Sequence, residues 1–429
     1  MIICSQEDFD SILGIPRPNC SSKSWYIKEL GVLKPPFTMG YWNVLDPDRK
    51  MFSTEDLLNQ TQEQNPLLTY IPIELLNNRP HLYIIKINNT HFFELNRELG
   101  FSVIHKKVIQ DVNNKKSAII FINSWEGYSG GVNNNDLEIL NQWCLDYTFN
   151  KEDVYYIQAN LLIEKYVTEN NYSFTGVGFS DFEGWLTNSA FEKEFLNLKK
   201  TRVYKKLFLS YNKRTRHHRD WLIAGLYANN LLEKGFISFS GFYRPNDDYL
   251  TDFLNEDQLV ELQSKFPLSI DGNSRKENPA MEVTLQNYTD TFVSVVSETL
   301  TDQGILFLSE KTWKPILVGH PFIVYGCKGT LKYLKDRGYK TFSNWWDESY
   351  DNEEDPLVRL EKILEVLNKL KNKSIKELQQ LNFEMVPVLR HNRELFLKDL
   401  KNNFNFPDGT YNKFLTNYLN NIYKNLNGY

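Results

Sequence analysis

The feature that most limits what this chain can fold into is a repeated order: a short buried strand, a loop, an amphipathic helix, another buried strand. Ser117 to Ile122 is a β-rich apolar run ending in Asn123-Ser124-Trp125-Glu126-Gly127. After Gly130-Gly131, Asn135-Asp136 can cap a helix carrying Leu137, Leu140 and Cys144, and Val154 to Ile157 reads as the next strand. Leu82 to Ile87 is a further apolar run ahead of them. The order returns later. Leu207 to Tyr211 is a strand, Asp220 to Leu232 has helical spacing, and Phe236 to Phe239 is a strand. Phe292 to Val296, Ser309 to Val318 and Phe322 to Tyr325 then repeat strand, helix, strand. Strands joined by crossover helices lie parallel, so the expected class is α/β, two Rossmann-like doubly wound domains.

A length of 429 residues exceeds one ordinary domain. The charged stretch Lys199-Lys200-Thr201-Arg202 marks an expected boundary, giving 1–200 and 201–390, with C-terminal helices over 391–429. Asp355-Pro356 starts a helix whose stripe is Leu357, Leu360, Ile363, Leu364, Leu367 and Leu370. Leu415, Leu419, Ile422 and Leu426 form a second stripe, suited to packing back on the first domain. Residues 1 to about 75 are punctuated by Pro16, Pro18, Pro35, Pro36 and Pro47, so regular elements there should be short.

Several function classes fall away on composition. A formal net charge of -5 gives no general pull towards nucleic acid or acidic membranes. Cys4, Cys20, Cys144 and Cys327 are scattered, which suits neither a zinc site nor a disulfide framework and favours a reduced, cytoplasmic compartment. The N-terminus reaches Glu7, Asp8 and Asp10 too soon for a signal peptide, and charge and proline interrupt the most apolar stretch, so no membrane span is expected. Asp8-Phe9-Asp10 and Asp46-Pro47-Asp48 match a D-x-D metal pattern, but neither follows a strand, and no metal is expected.

Chemistry should lie at the carboxyl ends of the strands. The loop Lys213-Arg214-Thr215-Arg216-His217-His218-Arg219 joins a strand end to a helix start. Free backbone N–H groups there, with the guanidinium groups of Arg214, Arg216 and Arg219, suit a diphosphate, although a solvated turn has the same composition. Further on, Ser309 can cap a helix whose first residues are Glu310 and Lys311. A carboxylate at that point can take the two hydroxyls of a ribose, and the lysine can reach a phosphate.

Residues 292–326 resemble the donor-binding signature of the family 10 α1,3-fucosyltransferases. In that family a strand ending in Phe-Glu-Asn precedes a Thr-Glu-Lys helix start carrying an aromatic, then a glycine turn and a second apolar strand. Here the corresponding stretches are Val296-Ser297-Glu298-Thr299, Ser309-Glu310-Lys311-Thr312-Trp313, Gly319 and Pro321-Phe322-Ile323-Val324-Tyr325-Gly326. Ser297 and Thr299 replace the Phe and Asn of the triplet, and Pro315 stands where the family usually has Asn. The resemblance implies a GT-B architecture, two domains facing a cleft, with Glu310 and Lys311 on the ribose and diphosphate of a GDP- or UDP-linked sugar and no permanent cofactor.

The expected activity is an inverting transfer from that nucleotide sugar to a hydroxyl acceptor, by a hexosyl, fucosyl or pentosyl transferase. Such a step needs a carboxylate to take the acceptor proton. Glu126, beside Trp125 and Tyr128, is the candidate, with Asp181 and Glu183 as rivals. Glu298 could support the ribose or the sugar. The acceptor partner is a glycan, or a hydroxylated base in viral DNA, which would place the protein in a host cytoplasm. A non-catalytic nucleotide- or carbohydrate-binding protein on the same fold is the rival reading.

Overall fold

The computed structural model describes residues 2–5, 69–70, 80–86, 104, 106–123, 135–179, 183, 186, 203–243, 250, 253–270, 283–403 and 413–426. The chain divides into two compact units, 1–181 with 403–406 and 410–429, and 182–402 with 407–409.

In the first unit the strands are β1 (Ile2–Ser5), β2 (Thr69–Tyr70), β3 (His81–Lys86), β4 (Ser117–Asn123), β5 (Val154–Gln158) and β6 (Thr175–Gly178). They form one sheet in the order β2-β1-β3-β4-β5-β6, and every pairing is parallel. The helices are α1 (Lys106–Asn113), α2 (Asn135–Asp146) and α3 (Ile163–Glu169). Their apolar stripes explain the packing: Val108 and Val112 of α1, Leu137, Leu140 and Trp143 of α2, and Ile163 and Val167 of α3 join Ile119 to Phe121 and Val154 to Ile157 in one core. The C-terminal helix α11 (Lys413–Leu426) belongs here too, through buried Leu419 and Ile422.

The second unit contains β7 (Lys206–Asn212), β8 (Gly235–Phe239), β9 (Thr291–Ser297) and β10 (Phe322–Tyr325), all parallel, in the order β10-β9-β7-β8. Its helices are α4 (His217–Ala228), α5 (Glu256–Ser264), α6 (Leu285–Thr289), α7 (Glu310–Val318), α8 (Thr330–Asp336), α9 (Pro356–Lys371) and α10 (Ile375–Asn403). β9 is buried at every residue, as a strand covered on both faces must be. From β7 the chain crosses through α4 to β8 on one side; from β9 it crosses through α7 to β10 on the other. Right-handed crossovers in opposite directions put α4 and α7 on opposite faces of the sheet.

Local chemistry sets the ends of these helices. Asp355 caps α9, its carboxylate accepting the Leu357 N–H at 2.7 Å, with Pro356 at the first helical position. Gly319 ends α7 in the left-handed region (φ 73°), letting the Gly319 and His320 N–H groups reach back to the Ile316 and Pro315 carbonyls. α10 runs unbroken through residue 390, where a domain border was expected, and Phe396 stacks on Trp313 of α7 within this unit. The other expected border, at residue 200, lies inside the second unit, which already begins at Phe182.

Candidate functional site

In the second unit the strand order reverses direction between β7 and β9. The carboxyl ends of two such strands leave a crevice, because their loops and helices depart to opposite faces. Five of the expected site residues, Arg214, Arg216, Arg219, Glu310 and Lys311, stand on the loops or helix starts after β7 and β9, and Glu298 directly follows β9.

The first side is the start of α4. Arg216 occupies its N-cap position in an extended conformation (φ -158°, ψ 148°) with no side-chain cap. Arg214 is exposed, Arg216 half-buried and Arg219 buried. The same residue type therefore has two placements. Arg219 turns inward: Nη1 donates to the Arg214 carbonyl at 2.8 Å, and Nη2 to the Glu298 and Ser297 carbonyls at 3.2 and 3.4 Å. It knits the loop after β7 to the end of β9, while Arg214 and Arg216 are the more outward charges.

His218 lies between these elements. Its Nε2 is 2.9 Å from the Glu298 carbonyl, which can only accept, so Nε2 carries the proton. Burial, and then the Arg219 charge, push the imidazole down to about 3, with Arg216 and Lys311 adding to the depression. Arg216 and Lys311, from opposite sides of the crevice, thus act on one neutral ring.

The second side is the start of α7. Glu298 is completely buried. Its carboxylate accepts the Ser309 N–H at 3.1 Å to each oxygen, the Ser309 hydroxyl at 2.6 Å, the Thr312 hydroxyl at 2.5 Å and the Thr299 N–H at 3.1 Å. A carboxylate offers about four lone-pair positions, so these donors fill it. The Ser309 hydroxyl is filled as well. It donates to Glu298 and accepts from the Lys311 N–H at 3.3 Å and Lys311 Nζ at 3.2 Å.

Glu310 is different. Its Oε1 takes Lys311 Nζ at 2.9 Å, but Oε2 is buried and has no hydrogen-bond partner among the described residues. Burial alone would raise this carboxyl; the charges of Lys311 and Lys314, together with hydrogen bonds from Lys311 and the Glu310 main-chain N–H, hold the group below the ordinary carboxylate range. A buried, ionised oxygen without a donor is costly unless a ligand supplies one. Lys311 Nζ also lies 3.4 Å from Thr299 Oγ1, so the ammonium sits over a cluster of hydroxyls.

Glu126, Trp125, Tyr128 and Asp181 lie outside the described residues, as do both D-x-D sequences. Glu183 is buried in an ion pair with Arg337, which also holds Asp399 at 3.0 Å, so it ties structure together within the second unit. Trp313, the aromatic of the helix start in the fucosyltransferase resemblance, is core: it is buried, stacked on Phe396 at 5.5 Å and covered by the Arg337 guanidinium at 5.2 Å. Glu348, in the aromatic-acidic run before α9, accepts the Phe342 N–H and the Thr341 hydroxyl, each at 2.6 Å. The structural parts played by His218 and Thr312 were not expected from the sequence. Two hydroxyls three apart at a helix start, Ser309 and Thr312, were the available signal.

Among the described residues no group of three or more His, Cys, Asp or Glu side chains could hold a metal ion, and no helix is long and apolar enough to cross a membrane.

No family model matches the chain, and no curated protein does, so the fucosyltransferase resemblance rests on the residues quoted for it. Among solved structures it is similar to a glycosyltransferase from Rickettsia africae (TM-score 0.36, 10% identity, covering 75% of this chain and 91% of that one). It is also similar to a UDP-forming α,α-trehalose-phosphate synthase from Burkholderia xenovorans (0.36, 11%, 82% and 80%). A trehalose-6-phosphate synthase matches at a TM-score of 0.30 with 10% identity over 76% of this chain and 92% of that one. Scores this low assign no role to any residue, and the chemistry has to come from this chain's own side chains.

Proposed function

We propose that the chain is a glycosyltransferase that takes its sugar from a nucleoside-diphosphate sugar, bound at the β7/β9 switch point. The observation that carries this reading is the buried Oε2 of Glu310 beside Lys311, which has no hydrogen-bond partner among the described residues. Ribose hydroxyls supply the donors that Oε2 lacks. Lys311, Arg214, Arg216 and the start of α4 surround the diphosphate, and Arg219 and Glu298 support them from beneath. As the bond to the sugar breaks, negative charge grows on the leaving diphosphate, and fixed cations placed there lower the barrier.

In an inverting displacement the acceptor hydroxyl attacks the anomeric carbon, its proton passes to a carboxylate, and the nucleoside diphosphate departs. Glu126 is the proposed proton acceptor. His218 does not serve as the acid, because its imidazole stays neutral down to about pH 3. The donor is UDP- or GDP-linked, and the acceptor hydroxyl belongs to a glycan or a hydroxylated DNA base. The fucosyltransferase resemblance favours the glycan.

The test is incubation with a panel of UDP- and GDP-sugars, with free nucleotide measured with and without glycan and modified-DNA acceptors. Release of UDP or GDP from at least one donor is expected. Nucleotide binding with no donor turned over would establish the non-catalytic rival. In the active pair, Glu126→Ala should retain donor binding and lose transfer.

A further inference from the structure

We infer that Glu298 is a positioning residue rather than a donor ligand, and that it locks both helix starts of the proposed donor site into one arrangement. The inference rests on the donor-site reading and adds a division of labour between its two glutamates.

Three observations meet at this residue. First, its carboxylate is full. The Ser309 N–H and hydroxyl, the Thr312 hydroxyl and the Thr299 N–H occupy both oxygens, leaving no capacity for a ribose or sugar hydroxyl. Second, two of those donors belong to the N-cap residue of α7 and one to its first turn, so the carboxylate fixes where α7 begins. Ser309 transmits that hold to Lys311, because its oxygen receives the Lys311 N–H and Nζ while its proton is committed to Glu298. Third, the main-chain carbonyl of Glu298 accepts from His218 Nε2 and Arg219 Nη2, the second and third residues of α4.

One residue therefore holds α7 by its side chain and α4 by its main chain. The groups it places are Glu310 and Lys311 on one side, and the start of α4 with Arg214 and Arg216 on the other. Side chains whose rotamers are set by such supporting hydrogen bonds bind with little ordering cost, and small displacements of them are expensive.

The variants act on the side-chain half. In Glu298→Gln an NH2 group replaces one accepting oxygen and opposes the Ser309 and Thr312 donors. Thr312→Val removes one donor while keeping the shape, and Thr312→Ser keeps the hydroxyl. UDP and GDP are titrated calorimetrically into each full-length variant at a temperature where circular dichroism shows it folded. A residue that only stabilised the fold would lower the melting temperature and leave affinity intact under those conditions. The expected result is a loss of about a hundredfold in affinity for Glu298→Gln. Thr312→Val should lose about tenfold, the scale of one charge-assisted hydrogen bond, and Thr312→Ser should stay near wild type. If Glu298→Gln fails to fold, the Thr312 pair decides. Folded variants that bind like wild type overturn the inference alone. A wild-type protein that binds neither UDP nor GDP overturns the donor-site reading, and the inference with it.

Discussion

At α4 the helix begins with Arg216, extended and without a side-chain cap, and its charges Arg214 and Arg216 are the outward members of the loop. At α7 the helix begins with Ser309, whose hydroxyl is filled by Glu298 and Lys311, and the first two helical residues form an ion pair. The first start, held from beneath by Arg219, offers positive potential from the more outward Arg214 and Arg216. The second offers fixed geometry with one vacant carboxylate oxygen. A diphosphate has charge spread over many oxygens and tolerates the first arrangement, whereas a ribose has two hydroxyls at set positions and needs the second. The contrast assigns the phosphate end of a nucleotide chiefly to α4 and Lys311, and the sugar end of the nucleoside to Glu310.

The largest effect should come from the fixed side. Glu310→Ala removes the acceptor of two ribose hydroxyls, and each hydrogen bond to a charged group is worth about 1.5–3 kcal/mol. Loss of more than about a hundredfold in nucleotide affinity is expected by calorimetry. Unchanged affinity would break the comparison at its base.

A second effect concerns the ring between the two starts. The folded His218 titrates about 3, below its unfolded value near 6.5, so the unfolded chain binds the extra proton between those limits. Stability should therefore be intact above about pH 6.5 and fall as the pH drops towards 3, by about 1.4 kcal/mol per unit from this group. His218→Gln keeps an N–H for the Glu298 carbonyl and removes the titration. Denaturant unfolding at pH 7 and pH 5 should show a smaller loss in the variant by about 2 kcal/mol. Equal losses would mean that the ring is not held neutral.

The smallest effect belongs to the outward charges. Arg214→Ala with Arg216→Ala should weaken nucleotide binding by about 1–2 kcal/mol in total, since partly exposed charges are screened. It should also flatten the dependence of affinity on salt. A salt dependence equal to that of wild type would remove α4 from the diphosphate site.

The same contrast shows what could be seen in the residues beforehand. Leu207 to Tyr211 and Phe292 to Val296 are apolar on both faces, so β7 and β9 were visible, and Ser309 announced a cap. β6 was not visible. Its sequence Thr-Gly-Val-Gly has no apolar run, and Gly178 is there because a Cβ would lie 2.8 Å from the Leu161 Cα. β1 was hidden for another reason. Four residues at the N-terminus carry too little periodicity, although they pair with both β2 and β3.

Within the site, residue type was legible and placement was not. Arg214 and Arg219 share one basic loop in the sequence, but only Arg219 falls on the inward face of α4. Glu298 and Glu310 looked like two ligands. The distinction depends on Ser309 and Thr312 folding back over eleven and fourteen residues to fill one carboxylate and leave the other open.

The most direct measurement is a crystal structure of the protein with UDP or GDP bound. The expected result is ribose hydroxyls on Glu310 Oε2, with the diphosphate between Lys311 and the start of α4. Ribose contacts made instead by Glu298, or a nucleotide bound away from the β7/β9 strand ends, would contradict it.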